Sequence, residues 1–111
     1  MTLVDVATNK VVEEGQGVQI QCSGNTESGE TRWWKKQESG AEDRIVLDDE
    51  VLFDFEDYMS FNKTTGILTI HNATLNDGGV YGCLIGFDQR YEINLTVLGK
   101  SQWQIVAIKT I

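Results

Sequence analysis

The chain has 111 residues, 41% of them apolar and 23% charged, with a formal net charge of −8 and a pI near 4.4. This length and composition fit one folded domain with its own core and argue against disorder. The acidic balance argues against nucleic acid as a partner, because that binding needs a basic stripe to release counterions, and equally against an anionic membrane surface.

Met1 is followed by "TLVDVATNK", with no apolar run behind a basic start, and reads as an added start codon on an excised piece. No window approaches the roughly 20 apolar residues of a membrane span. Any membrane attachment therefore belongs to a part of the parent chain not present here.

After the break "EEGQG", the stretch "VQIQC" puts Val18, Ile20 and Cys22 on one face and Gln19 and Gln21 on the other, the period of a half-buried strand. A second break, "SGNTESGE", leads to "TRWWKK". If Trp33 faces inward, Thr31 joins it and Arg32 and Trp34 face out. The opposite choice buries Arg32 without an obvious partner, which is costly, so Trp33 is taken as the core residue. Beyond "ESGAED", the segments "RIVL" and "EVLFDF" offer two further strands. "GILTI" then points Leu68 and Ile70 inward. After "NDGG", "VYGCLI" alternates Tyr81, Cys83 and Ile85 against Val80, Gly82 and Leu84. "YEINLTVL" sets Ile93, Leu95 and Val97 against Glu92, Asn94 and Thr96. Seven to nine short strands divided by turns point to an all-β sandwich or barrel. Proline is absent, which leaves edge strands to be protected by charge.

Chemistry is hard to find in this pattern. Two cysteines and the single His71 are too few for a tetrahedral zinc site. His71 also has no Ser, Cys or carboxylate at a spacing that suggests a triad, and reads as a surface or turn residue. The acidic run "LDDEVLFDFEDY" carries Asp48, Asp49, Glu50, Asp54, Glu56 and Asp57 but contains no D-x-D-x-D-G loop. It reads as a solvated edge that could steer a basic ligand. No catalytic residue, metal or cofactor is expected. Three sequons, at Asn62, Asn72 and Asn94, lean towards a secreted or cell-surface parent with glycosylated asparagines.

Cys22 and Cys83 both lie on the inward faces of their strands, where a bridge would tie two sheets across a core. Closing a loop of some 60 residues in this way stabilises by about 4 kcal/mol. Cys22, then Trp33, then "DGGVYGC" as D-x-G-x-Y-x-C, resembles an immunoglobulin domain over residues 3–98. The interval between Trp33 and "GILTI" is long enough for two extra strands, as in variable-type domains. The resemblance implies a two-sheet antiparallel Greek-key sandwich over residues 1–99 and a Cys22–Cys83 disulfide packed on Trp33. It also implies a core signature of Trp33, Asp77, Gly79 and Tyr81, with the Tyr81 hydroxyl bonded back to backbone near Asp77. Two departures stand out. Tyr58 occupies the place where variable domains usually carry an arginine paired with the Asp77 equivalent, so that salt bridge is expected to be missing. The last strand lacks the F-G-x-G motif of antibodies and T-cell receptors.

In this family the exposed sheet carrying Trp34 pairs with, or meets, counter-receptors, and a large aromatic there suits an interface anchor. Trp34, Lys36, Leu47, Gly82 and Leu84 are the expected ligand-binding residues on that face; the alternative is that Trp34 is only shielded by its long neighbours. The loop "GFDQR" adds Phe87, Asp88, Gln89 and Arg90, with Phe87 either an apolar anchor or folded back onto the sandwich. A glycan on Asn94 would stand on or beside this face. Residues 100–111, with Trp103, Ile105, Val106 and Ile108, form a sticky extension: the start of a following domain, or a strand pairing with an edge or a second copy. The implied function is an extracellular receptor or co-receptor module that recognises a protein ligand, with a homodimer through the same face as a further partner. The alternatives are a structural or homophilic adhesion module and a soluble decoy of the same fold.

Overall fold

The computed structural model describes residues 4–22, 31–85 and 90–99. Nine strands are found among them: β1 (Val4–Glu13), β2 (Val18–Gln21), β3 (Thr31–Lys36), β4 (Glu42–Leu47), β5 (Glu50–Val51), β6 (Met59–Asn62), β7 (Ile67–Ile70), β8 (Gly79–Ile85) and β9 (Arg90–Leu98). They form a six-stranded sheet, in the order β1-β9-β8-β3-β4-β5, and a three-stranded sheet, β2-β7-β6. The strand order is that of a Greek-key sandwich in which β4 and β5 extend the larger sheet.

Alternation in the sequence sets the core. Val18 and Ile20 from β2, Leu68 and Ile70 from β7, Tyr81, Cys83 and Ile85 from β8, and Ile93, Leu95 and Val97 from β9 are all buried. These are the inward positions read from period 2, and their packing between sheets supplies the main driving force for folding. Cys22 and Cys83 are bonded, with their Cα atoms 5.9 Å apart, and join the two sheets beside Trp33, which has no exposed surface.

Two features differ from the strand pattern read in the sequence. The first strand is long and pairs with β9 in parallel, from Val4↔Arg90 to Glu13↔Leu98, so the sandwich is antiparallel except at this edge. Its bond partners lie in the last strand, beyond the reach of local periodicity. The segment "EVLFDF" contributes only Glu50 and Val51 to a strand; residues 53–58 form turns, and Phe53 is 82% exposed. The β4–β5 connection explains why so short a strand persists. Asp48 and Asp49 both take positive φ, 54° and 63°, as a two-residue hairpin turn of the favoured hand requires. Asp49 Oδ1 then accepts a hydrogen bond from the backbone N–H of Thr31 at 3.0 Å, fixing that turn against β3. Part of the acidic run is therefore a turn device rather than a solvated edge.

Candidate recognition surface

The inner signature residues meet at one corner. A 3-10 turn, Leu75–Asp77, precedes β8 and is closed by reciprocal capping: Asp77 Oδ2 accepts from the Thr74 backbone N–H at 2.8 Å and from its hydroxyl at 3.2 Å. The Tyr81 hydroxyl donates to the Asp77 carbonyl at 2.6 Å. Gly79, between them, sits at φ 141°, a conformation open to glycine at little cost. Burial, then the charges of Asp77 and Tyr58, hold the Tyr81 phenol far above its ordinary pKa, so it stays a donor.

Asp77 is itself buried and enters no ion pair among the described residues, as the tyrosine at position 58 leads one to expect. Tyr58 has its own pKa raised, by partial burial first and then by Asp77, Asp54 and Asp43. The cation at this corner comes instead from β3. Lys35 Nζ donates to the Asn76 carbonyl and lies 5.6 Å from the centre of the Tyr81 ring.

The outer face of the six-stranded sheet has a different construction. Its register sets side chains in cross-strand rows. One row runs Arg32, Leu84, Arg90 across β3, β8 and β9; the next runs Arg44, Trp34, Gly82, Glu92 across β4, β3, β8 and β9. Trp34 lies flat across Gly82: a Cβ added at position 82 would fall 2.5 Å from Trp34 Cε2. Glycine is needed here for close approach, because any side chain would lift the indole off the sheet. Over the other face of the ring lies the Arg90 guanidinium, 4.5 Å from the ring centre, and its Nη2 continues to Glu42 Oε2 at 3.0 Å. Arg90 is thus a strap drawn diagonally over Trp34 and tied at the far strand.

These contacts change the expected roles of several residues. Trp34 faces outward, as its register demands, but is only 9% exposed; its neighbours shield it in the isolated domain. Gly82 is buried under the indole and serves as its seat rather than as a contact for a ligand. Lys36 is engaged with Glu92. Leu84 and Leu47 are half-buried and line, with Arg32, Glu42, Arg44 and Arg90, a cleft of about 410 Å³. Neither the Trp33 nor the Trp34 indole N–H has an acceptor among the described residues. Phe87, Asp88 and Gln89, and residues 100–111, lie outside the described residues.

Arg32, Glu42 and Arg44 did not figure among the expected ligand-binding residues. Arg32 was legible as an outward neighbour of Trp34. The other two required the β3–β4 register, which carries a bulge between Trp33 and Trp34. Among the described residues no cluster of His, Cys, Asp and Glu could hold a metal ion.

The three sequon asparagines are all exposed. Asn62 opens the β6–β7 turn, where its Oδ1 accepts from the backbone N–H groups of Thr64 and Thr65. Asn72 lies in the bend after β7. Asn94 stands on the outer face near β1, its amide donating to Asn9 Oδ1 at 3.1 Å.

An interior bridge between sheets, a tyrosine bonded back to its turn and two added strands beside β3 define an immunoglobulin-type sandwich. The chain matches the immunoglobulin domain family over residues 4–85 and belongs to it. No curated protein sequence matches it significantly. Among solved structures, the first immunoglobulin domain of mouse polymeric immunoglobulin receptor superposes with a TM-score of 0.65 at 16% identity. The match covers 89% of this chain and 96% of that one. At that identity the likeness is one of fold, and it is to a domain of a receptor.

Proposed function

We propose that this domain is an extracellular recognition module of an immune-type receptor or co-receptor. It binds a protein ligand through the outer face of the six-stranded sheet and the loop between β8 and β9. The observation that carries this reading is the Gly82–Trp34–Arg90 stack. A sheet face that only met water would not need a glycine seat beneath an aromatic and a guanidinium strap above it. Aromatic and arginine side chains held in one place are the usual anchors of protein interfaces, since little entropy is lost when a partner docks.

The smaller sheet offers a contrast, because Gln19, Gln21 and Ser60 point to solvent there without an aromatic centre. The disulfide and the exposed sequons suit an oxidising, extracellular setting. A glycan at Asn94 would cover the β1–β9 margin, leaving the part of the face over β3, β4 and β8 for contact. Residues 1–99 form the recognition domain in this reading, and residues 100–111 lead into a following domain.

The test compares the two sheets. Tetramers of the domain, probed against a panel of cell-surface ectodomains, should capture a ligand whose binding falls at least about tenfold with Leu84→Glu, the loss of one interface anchor. Gln19→Glu on the smaller sheet should leave binding unchanged. Sensitivity to Gln19→Glu instead, or concentration-dependent dimers by sedimentation with no captured ligand, would overturn the reading in favour of the smaller sheet or of homophilic adhesion.

A further inference from the structure

The cleft over Trp34 has a charge at odds with the chain around it. The chain carries a net −8 and only nine lysines and arginines in all, yet three arginines line this one cleft. Arg90 is tied to Glu42. Arg32 and Arg44, both exposed and outward, enter no ion pair among the described residues. They occupy adjacent cross-strand rows, Arg32 opposite Leu84 and Arg44 opposite Trp34, so their charges share one patch.

The occupant such a patch takes is visible within it. A carboxylate, that of Glu42, already accepts a single hydrogen bond from the Arg90 guanidinium, at 3.0 Å. Both ends of that pair are more than one-third exposed, so it holds weakly and can be exchanged. We infer that the cleft accepts an aspartate or glutamate side chain from an acidic segment of a protein partner. That carboxylate docks between Arg32 and Arg44 and competes with Glu42 for Arg90.

Two consequences follow from charge alone. An acidic partner is repelled by much of this acidic surface and attracted by the three arginines of the cleft, which biases its orientation on approach. Release of Arg90 from Glu42 uncovers the Trp34 ring, adding an apolar contact to the ionic one. The inference rests on the proposed recognition face and specifies the chemistry of what that face meets.

The probe is a blocked hexaglutamate peptide, with hexaglutamine and 3′-sialyllactose alongside it, titrated into the labelled domain and followed by NMR. Hexaglutamate should shift the Trp34 indole and Arg90 Nε–H signals saturably, and screening by salt should weaken the effect. Arg32→Gln/Arg44→Gln should weaken binding about tenfold, the loss typical of charge-assisted hydrogen bonds, without changing thermal stability. Three results would overturn it: no saturable shift, an equal response to hexaglutamine, or tighter binding of the sialylated sugar at the same residues. If a captured protein ligand is lost with Leu84→Glu but keeps its affinity in the Arg32→Gln/Arg44→Gln variant, the acidic chemistry fails while the recognition face stands.

Discussion

Trp33 and Trp34 are adjacent in sequence and both are buried, but by opposite means. Trp33 is enclosed by the hydrophobic core between two sheets, together with the disulfide and the inward residues of both sheets. Trp34 lies on the outside of the same sheet and is covered by one glycine beneath and one arginine above. The inner residue is held by what the fold must bury. The outer one is held outside that core, by a buried glycine beneath and a half-exposed arginine above, and such an arrangement points to use as well as to architecture.

The largest expected effect separates the two tryptophans. Trp33→Ala should cost about 3–5 kcal/mol, as truncation of fully enclosed aromatics does, and leave the domain unfolded or nearly so. Trp34→Ala should cost roughly half of that, because solvent can enter on its outer side. Urea denaturation of both variants measures the difference. Equal losses would mean that Trp34 belongs to the core after all.

The inner corner carries its own pH dependence. The folded state holds the Tyr81 phenol neutral, so its contribution is fully present below the unfolded pKa of about 10 and declines above it. Stability should therefore fall by about 1.4 kcal/mol per pH unit in the alkaline range, as the unfolded chain releases a proton that the folded chain keeps. Tyr81→Phe should flatten most of that fall while removing about 1 kcal/mol at neutral pH with the lost hydrogen bond to Asp77. A slope unchanged in Tyr81→Phe would assign the alkaline transition elsewhere.

The same division explains what could be read from sequence. Much of the inner face was legible residue by residue, although Val12, Ile45, Val46, Met59 and Ala73 join the core without having been read as inward. Inward alternation, Cys22, Trp33, Cys83 and the Asp77–Tyr81 corner are local patterns joined by a recurrent frame, and the missing cation for Asp77 could be anticipated from Tyr58. The first strand was not legible, because Val11 is 62% exposed while Val12 is buried and the "ATNK" before them breaks any apolar rhythm. Its parallel pairing with β9 joins opposite ends of the chain. On the outer face, the direction of Trp34 followed from parity, but its cover did not. Arg90 and Gly82 come from strands distant in sequence, and Arg90 reaches Trp34 only by leaning along the sheet towards Glu42. The role of Gly82 as a seat is likewise a matter of close approach between two strands, which periodicity does not encode.

The central claim is that the outer face is built on Trp34, seated on Gly82 and strapped by Arg90. Its most direct test is Gly82→Ala, followed by hydrogen exchange at the tryptophan indole N–H groups. The added methyl should lift Trp34 from the sheet, speed exchange of its indole N–H and cost about 1–3 kcal/mol, the range for overpacking a filled site, while the Trp33 signal stays protected. An unchanged Trp34 signal with unchanged stability would show that the indole does not rest on Gly82, and the outer face would lose its proposed construction.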